Sequence, residues 1–364
     1  MSQPPETPVT PSPIGVPIDV VVVGLGQMGR SHALSYHRDP RFRILALVNR
    51  STPADLPAEL AAYPLLQDFE AALALRPRLV AIATYTDTHA PLAIRAMEAG
   101  ADVFVEKPLA GTIEDARAVV DCARRLGRKL VVGYILRHHP AWVGFVQTAR
   151  ELGPPYVFRL NLNQQSAGPA WEIHKRLMDT TSPVVDCGVH YLDVMCQITD
   201  AAPVEVRGMG VRLSDEIAET QVNYGHLQVL FADGSAGWYE AGWGPMISET
   251  AFFVKDVISP NGAVSIVMDE GASSSSIDTH TKTARIRVHH AARNADGGFA
   301  RADEWRSSEG EPGHQELCDR QAAFVADSIL EDRDLARHNE DALRSLAVVL
   351  AADRSMREGR IVRL

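Results

Sequence analysis

From Ile18 to about residue 136, short runs of aliphatic and β-branched residues alternate with longer stretches of helical spacing. That alternation predicts strand-helix-strand units and a doubly wound parallel sheet. Strands are expected at residues 18–23, 43–48, 79–83, 102–105 and 129–133. Between the last two, "TIEDARAVVDCARRLGRK" carries helix punctuation. Thr112 can cap it, Glu114 and Asp115 suit the positive first turn, and Arg124 and Arg125 suit the negative end.

Past residue 136 the pattern changes. Helical segments at 141–152 and 183–198 lead into β-like stretches, among them "YVFRLNLN", "VEVRGMGVRL", "HLQVLF", "SAGWYEAGW", "AFFVKDV" and "AVSIVM". These predict an α+β domain with a large, mostly antiparallel sheet. "EGASSSSIDTHTKT" reads as a loop, and near the end "NEDALRSLAVVLAADRSMREGR" reads as a helix with Asn339 as candidate cap and Gly359 as stop. The expected division is a proline-rich, extended tail over 1–17, a first domain over 18–136 and a second over 137–364.

Composition narrows the class. A chain of 364 residues suits two domains, and 46% hydrophobic with 23% charged residues is ordinary for a globular protein. No apolar run approaches the roughly 20 residues that cross a bilayer, so no membrane role is expected. A net charge of -10 argues against a nucleic-acid partner. The four cysteines are scattered and the N-terminus has no secretory pattern, which together favour the cytoplasm.

"VVVGLGQMGR" places Gly24, Gly26 and Gly29, with Gln27 and Met28 between them, in G-x-G-x-x-G spacing between a strand and a helix. The first glycine permits the turn, the second lets backbone approach a pyrophosphate, and the third lets helix and strand pack. The helix N-terminus offers N–H groups to phosphate, so a dinucleotide site is expected. About twenty residues on, where an NAD site usually carries an acid, stands Asn49, followed by Arg50 and Ser51. That tilts the expected cofactor toward NADP, with NAD the alternative. Thr84, His89 and Glu106 are further candidates along the cofactor groove.

"DVFVEKPLAG" puts Lys107 at the C-terminal end of a parallel strand, where open α/β sheets place ligands. Pro108 restricts Lys107 to extended conformations, and their bond is a candidate for the cis form found at about 5–6% of X-Pro bonds. Beside a nicotinamide and a hydroxyl or carbonyl, the lysine can stabilise an oxyanion or relay a proton. "SPVVDCGVHYLD" sets Asp186 and His190 four apart on a helix capped by Ser182, on one face. His190 can take the hydroxyl proton while Asp186 orients it. Gly188 inside this helix costs about 1 kcal/mol relative to alanine, so a close approach, by substrate or nicotinamide, is expected there. Arg137, His138, Trp171, His174 and Lys175 are candidate substrate contacts. The His, Asp and Cys spacings form no metal-ligand set, and no metal is expected.

Taken in order, "GLGQMG", "ATYTDTH", "VEKPLAG" and "DCGVH" resemble the motifs of the Gfo/Idh/MocA family of glucose-fructose oxidoreductases and inositol dehydrogenases. The resemblance implies a Rossmann domain followed by an α/β domain whose open sheet joins a homodimer or homotetramer. It also implies hydride transfer between NAD(P) and a sugar, inositol or related polyol, with Lys107, Asp186 and His190 at the family's catalytic positions. Thr84-Tyr85-Thr86 stands where many members read Thr-Pro-Asn, and "DTTSP" replaces a glycine-rich stretch. Two other readings share these residues: redox-assisted glycoside cleavage with retained NAD(P), and a non-catalytic NAD(P)-binding sensor.

Overall fold

A computed structural model describes residues 16–53, 55–248, 254–268, 283–307 and 310–364. The proline-rich tail through residue 15 and nearly all of the serine-rich loop lie outside them. The first sheet takes β1 (Ile18–Val23), β2 (Phe42–Val48), β3 (Leu65–Leu66), β4 (Leu79–Ile82), β5 (Asp102–Val105) and β6 (Leu130–Val132). Its order is β3-β2-β1-β4-β5-β6, all parallel, with β1 and β4 adjacent at the switch point. The connecting helices are α1 (Gln27–Arg38), α2 (Phe69–Leu73), α3 (Thr86–Glu98) and α4 (Ile113–Leu126). α4 begins as its sequence predicts, with Thr112 accepting from the Asp115 N–H at 3.1 Å, and Gly127, at φ of 61°, closes it.

α5 (Pro140–Leu152) leads to the second sheet, which holds β7 (Val157–Gln165), β8 (Pro203–Val211), β9 (Tyr224–Phe231), β10 (Ala236–Gly244), β11 (Lys255–Ser259), β12 (Gly262–Val267), β13 (Arg285–His290), β14 (Glu304–Ser307) and β15 (Val362–Arg363). The order is β14-β13-β12-β11-β7-β10-β9-β8-β15. β7 and β10 pair in parallel and the other neighbours are antiparallel. Between β7 and β8 come α6 (Pro169–Leu177), α7 (Pro183–Asp186) and α8 (Gly188–Ile198); α9 (His314–Leu330) and α10 (Ala336–Glu358) follow β14. The single helix expected over 183–198 is thus two, joined at Cys187, although Ser182 does cap its start.

Two departures concern the last helices. α10 starts at Ala336, so Asn339 is interior, and Asp334 accepts the Ala336 N–H at 2.8 Å instead. α9 packs back on the first sheet: Ala322, Val325, Ala326 and Ile329 join Ile18, Val20, Leu79 and Phe104 in one buried cluster. A chain segment past residue 300 therefore completes the N-terminal core.

The end of the first sheet is joined to α8 and α10 by buried polar contacts. His338 on α10 accepts the Val132 N–H at 2.9 Å, and the Tyr134 hydroxyl lies 2.9 Å from Ser345 Oγ. Arg137 is held by Asp193 from α8 and Asp341 from α10, with Nη2 3.0 Å from Asp341 Oδ2. This joint fixes the cleft between the domains.

Candidate active site

The glycine loop leaves β1 at the switch point. Gly24 has φ of 90°, and a Cβ there would stand 2.4 Å from the Ala83 carbonyl. A Cβ on Gly29 would stand 1.9 Å from Gly24 O, whereas one on Gly26 would meet nothing within 4 Å. Two glycines are therefore demanded by packing, while the middle one faces open space. With no side chain capping α1 and no acid in its first turn, its leading N–H groups suit a pyrophosphate. Asn49 braces this loop, accepting from Leu25 N–H at 3.1 Å and donating to Ser51 O at 2.6 Å, and Arg50 is exposed beside it.

The loops after β4 and β5 are tied by His89. Its Nδ1 lies 2.7 Å from Pro108 O and its Nε2 3.1 Å from Thr84 O. Burial outweighs both carbonyls and lowers its pKa, so the ring is neutral at neutral pH and its single N–H donates to one of the two carbonyls only. His89 braces the groove wall and does not line the cleft.

A cavity of about 560 Å³ runs from Gln27 and Met28 of the glycine loop to Lys107, Asp186 and His190. Residues as far apart in sequence as Lys107 and Asp186, 79 positions, converge here because β5 ends at one wall and the α7–α8 joint supplies the other. The Lys107–Pro108 bond is cis. The ammonium lies 3.1 Å from Asp186 Oδ2 and donates to Asp186 O at 3.1 Å. Burial alone would lower the Lys107 pKa, but Asp186 above all, then Cys187 and Glu106, hold it above the usual value. It is an ammonium at neutral pH. Glu106 accepts from the Lys107 backbone N–H at 3.1 Å and lies 2.6 Å from His32 Nε2. Burial would raise its pKa; the His32 contact and charge, then Lys107, bring it below the ordinary carboxylate value.

The partner of Asp186 that sequence spacing did not supply is Lys107. His190 is buried on the same cavity wall, its ring edge-on to Tyr134 at 6.1 Å. Gly188 needs a different explanation from the expected ligand approach: a Cβ there would stand 2.9 Å from the Tyr239 ring and 3.2 Å from Val349 Cγ1. Packing, not ligand, excludes a side chain.

The far wall comes from the second sheet. Gln164 and Trp243 are register partners on β7 and β10, and Trp243 Nε1 donates to Gln164 Oε1 at 2.9 Å. An indole N–H only donates, so the amide oxygen is committed and the amide NH2 is left for the cavity. Gln165 is reversed: its NH2 donates to Ile247 O at 2.8 Å, leaving its oxygen. His174 stacks on Trp243 at 4.5 Å with planes 9° apart and contacts Ser166 Oγ at 2.9 Å. Burial lowers its pKa to about 4, so it is neutral.

Of the five expected substrate contacts, His174 alone lines this cavity. Arg137 is locked in the domain joint, His138 packs on Phe324 at 5.2 Å, Trp171 is buried, and Lys175 pairs with Glu172 and Glu216. Gln164, Gln165, Trp243 and His314 line it without having been singled out. Among the described residues no cluster of three or more His, Cys, Asp or Glu could hold a metal, and no helix is long and apolar enough to cross a membrane.

Comparison with known proteins agrees with this fold. Residues 18–134 match the Gfo/Idh/MocA model described as "Oxidoreductase family, NAD-binding Rossmann fold", and residues 148–364 match its C-terminal alpha/beta domain. UDP-N-acetylglucosamine 3-dehydrogenase of Acidithiobacillus ferrooxidans is 32% identical over 195 residues, 52% of this chain and 57% of that protein. Inositol 2-dehydrogenase of Rubrobacter xylanophilus is 37% identical over 148 residues, 39% of this chain and 43% of that protein. The aligned stretch thus spans about half the length of these curated relatives. Among solved structures, GenD2 from gentamicin A biosynthesis, in complex with NAD, superposes with a TM-score of 0.74 at 24% identity, covering 98% of this chain and 99% of that one. That last likeness speaks for the fold.

Proposed function

The chain belongs to the Gfo/Idh/MocA oxidoreductase family, and we propose that it is an NAD(P)-dependent dehydrogenase or reductase acting on a CH–OH group of a sugar, inositol or related polyol. The observation that carries this is one cleft lined by the glycine loop, the Lys107 ammonium and His190. The relatives named for sugar-nucleotide and inositol substrates support the substrate class.

Gly24, Gly26, Gly29 and the start of α1 would hold the dinucleotide, with Gln27, Met28, Thr84 and Glu106 along its path. When bound, it supplies the hydride acceptor or donor. Lys107, held charged and aimed by Asp186, hydrogen-bonds the reacting oxygen and stabilises the negative charge that develops there. His190 takes the hydroxyl proton in the oxidative direction and returns it in the reverse. Gln164 offers a donor and Gln165 an acceptor to neighbouring hydroxyls, and His174 closes the wall. NADP is the favoured cofactor, through Arg50 and Ser51 beside a non-acidic Asn49.

Nicotinamide absorbance followed against sugars, inositols, keto-sugars and their acids, with both cofactors, tests the reading. Turnover with net NAD(P)H change supports it. Binding without turnover across the panel would leave the sensor reading in its place, and cleavage without net NAD(P)H would select the glycosidase.

A further inference from the structure

A buried contact between acid and imidazole links the cofactor cradle to the reacting end of the cleft, and the roles above leave it unused. His32 lies on α1, three residues beyond Gly29, and is 1% exposed. Its ring packs on Phe104 at 4.7 Å, and its Nε2 is 2.6 Å from Glu106 Oε1. A carboxylate only accepts, so this nitrogen carries the proton. The other Glu106 oxygen accepts from the Lys107 backbone. A Cβ at residue 133 would stand 3.0 Å from Glu106 Oε2 and 3.1 Å from Oε1, so Gly133 gives the carboxylate its place.

Charge makes this contact more than a brace. The Lys107 ammonium is paired with Asp186, while Glu106 lines the cleft between the glycine loop and Lys107. A nicotinamide ring carries one positive charge when oxidised and none after it gains hydride. A fixed, buried carboxylate on the cleft wall distinguishes those two states.

We propose that the His32–Glu106 couple is the charge partner of the oxidised cofactor: His32 holds the Glu106 carboxylate at the cleft wall, where it favours the cationic nicotinamide ring over the neutral one. This rests on the dehydrogenase reading above. The titratable groups facing Glu106 are His32 and Tyr36 from α1, His89 from α3, Lys107 after β5 and Cys318 from α9. Burial would raise the Glu106 pKa, and the His32 contact with Lys107 holds it below the usual range, so the carboxylate stays charged across neutral pH.

The test uses the full chain and measures dissociation constants for oxidised and reduced NAD and NADP by tryptophan fluorescence across the neutral pH range. Glu106→Gln, nearly isosteric, is expected to weaken the oxidised form about tenfold or more and the reduced form less than about threefold. His32→Leu removes the donor, so the buried carboxyl takes up a proton as pH falls and affinity for the oxidised form falls with it. His32→Gln keeps an N–H donor and is expected to follow the parent. A Glu106→Gln protein, folded by circular dichroism, that shifts both forms equally or neither overturns the proposal, as does a pH-independent His32→Leu. A parent that binds no nicotinamide dinucleotide overturns the dehydrogenase reading as well; a parent that oxidises a polyol while Glu106→Gln keeps the parental ratio overturns this proposal alone.

Discussion

Lys107 carries a charge that its burial opposes and Asp186 restores, so under the role proposed for it, removing the ammonium should separate binding from turnover. Lys107→Met is expected to keep cofactor affinity within about threefold and to lose turnover by about a hundredfold or more, the usual weight of such a group. Fluorescence titration beside nicotinamide absorbance checks both halves. On the far wall, Trp243→Phe preserves a ring for His174 to stack on but removes the N–H that fixes Gln164. A lost hydrogen bond of about 1 kcal/mol corresponds to a roughly fivefold rise in KM with little change in kcat, read by steady-state kinetics on the best substrate. The places of Lys107 after β5 and of the glycine turn after β1 were legible in the sequence because local spacing encodes the backbone path there. Gln164 and Trp243 were not: they are 79 residues apart and meet only through the parallel pairing of β7 with β10.

Local signals placed most elements and misjudged why one glycine is there. Gly188 follows the joint between α7 and α8, and two effects of Gly188→Ala oppose each other. Helix propensity would stabilise the variant by about 1 kcal/mol. Overpacking against the Tyr239 ring costs about 1–3 kcal/mol, and the 2.9 Å approach favours this larger effect. The expected outcome is a lower unfolding midpoint in thermal or denaturant melts; a raised midpoint would show that the ring yields. The same limit explains Asn339. Asparagine is a good cap, but Asp334 lies nearer the point where the chain turns into α10, and only the path of the preceding loop decides between them.

Across the whole molecule, the passage from a parallel sheet to a second, mostly antiparallel one was readable from the change of hydrophobic pattern, whereas the buried joint around Arg137 was not. Arg137 reads as a pocket residue from its neighbours "RHHP", yet its charge is consumed by Asp193 and Asp341. Arg137→Met is expected to cost about 3–5 kcal/mol, because buried Asp193 loses its cation while Asp341 keeps only Arg337. Its pH dependence has a definite sign. Burial raises the Asp193 pKa and Arg137 only partly offsets it, so stability from this group is full below the unfolded-state pKa and is lost as pH rises through the folded one. Removing Arg137 should steepen that loss, which urea midpoints measured at a series of pH values would reveal.

The return of α9 to the first sheet bears on how the protein is made. A ribosome releases β1 to β6 long before residues 314–330, so the nascent nucleotide-binding half waits with Ile18, Val20 and Phe104 lacking the helix that covers them. A truncation ending near residue 136 should accordingly aggregate or bind a hydrophobic dye, and adding α9 back on a short tether should suppress both.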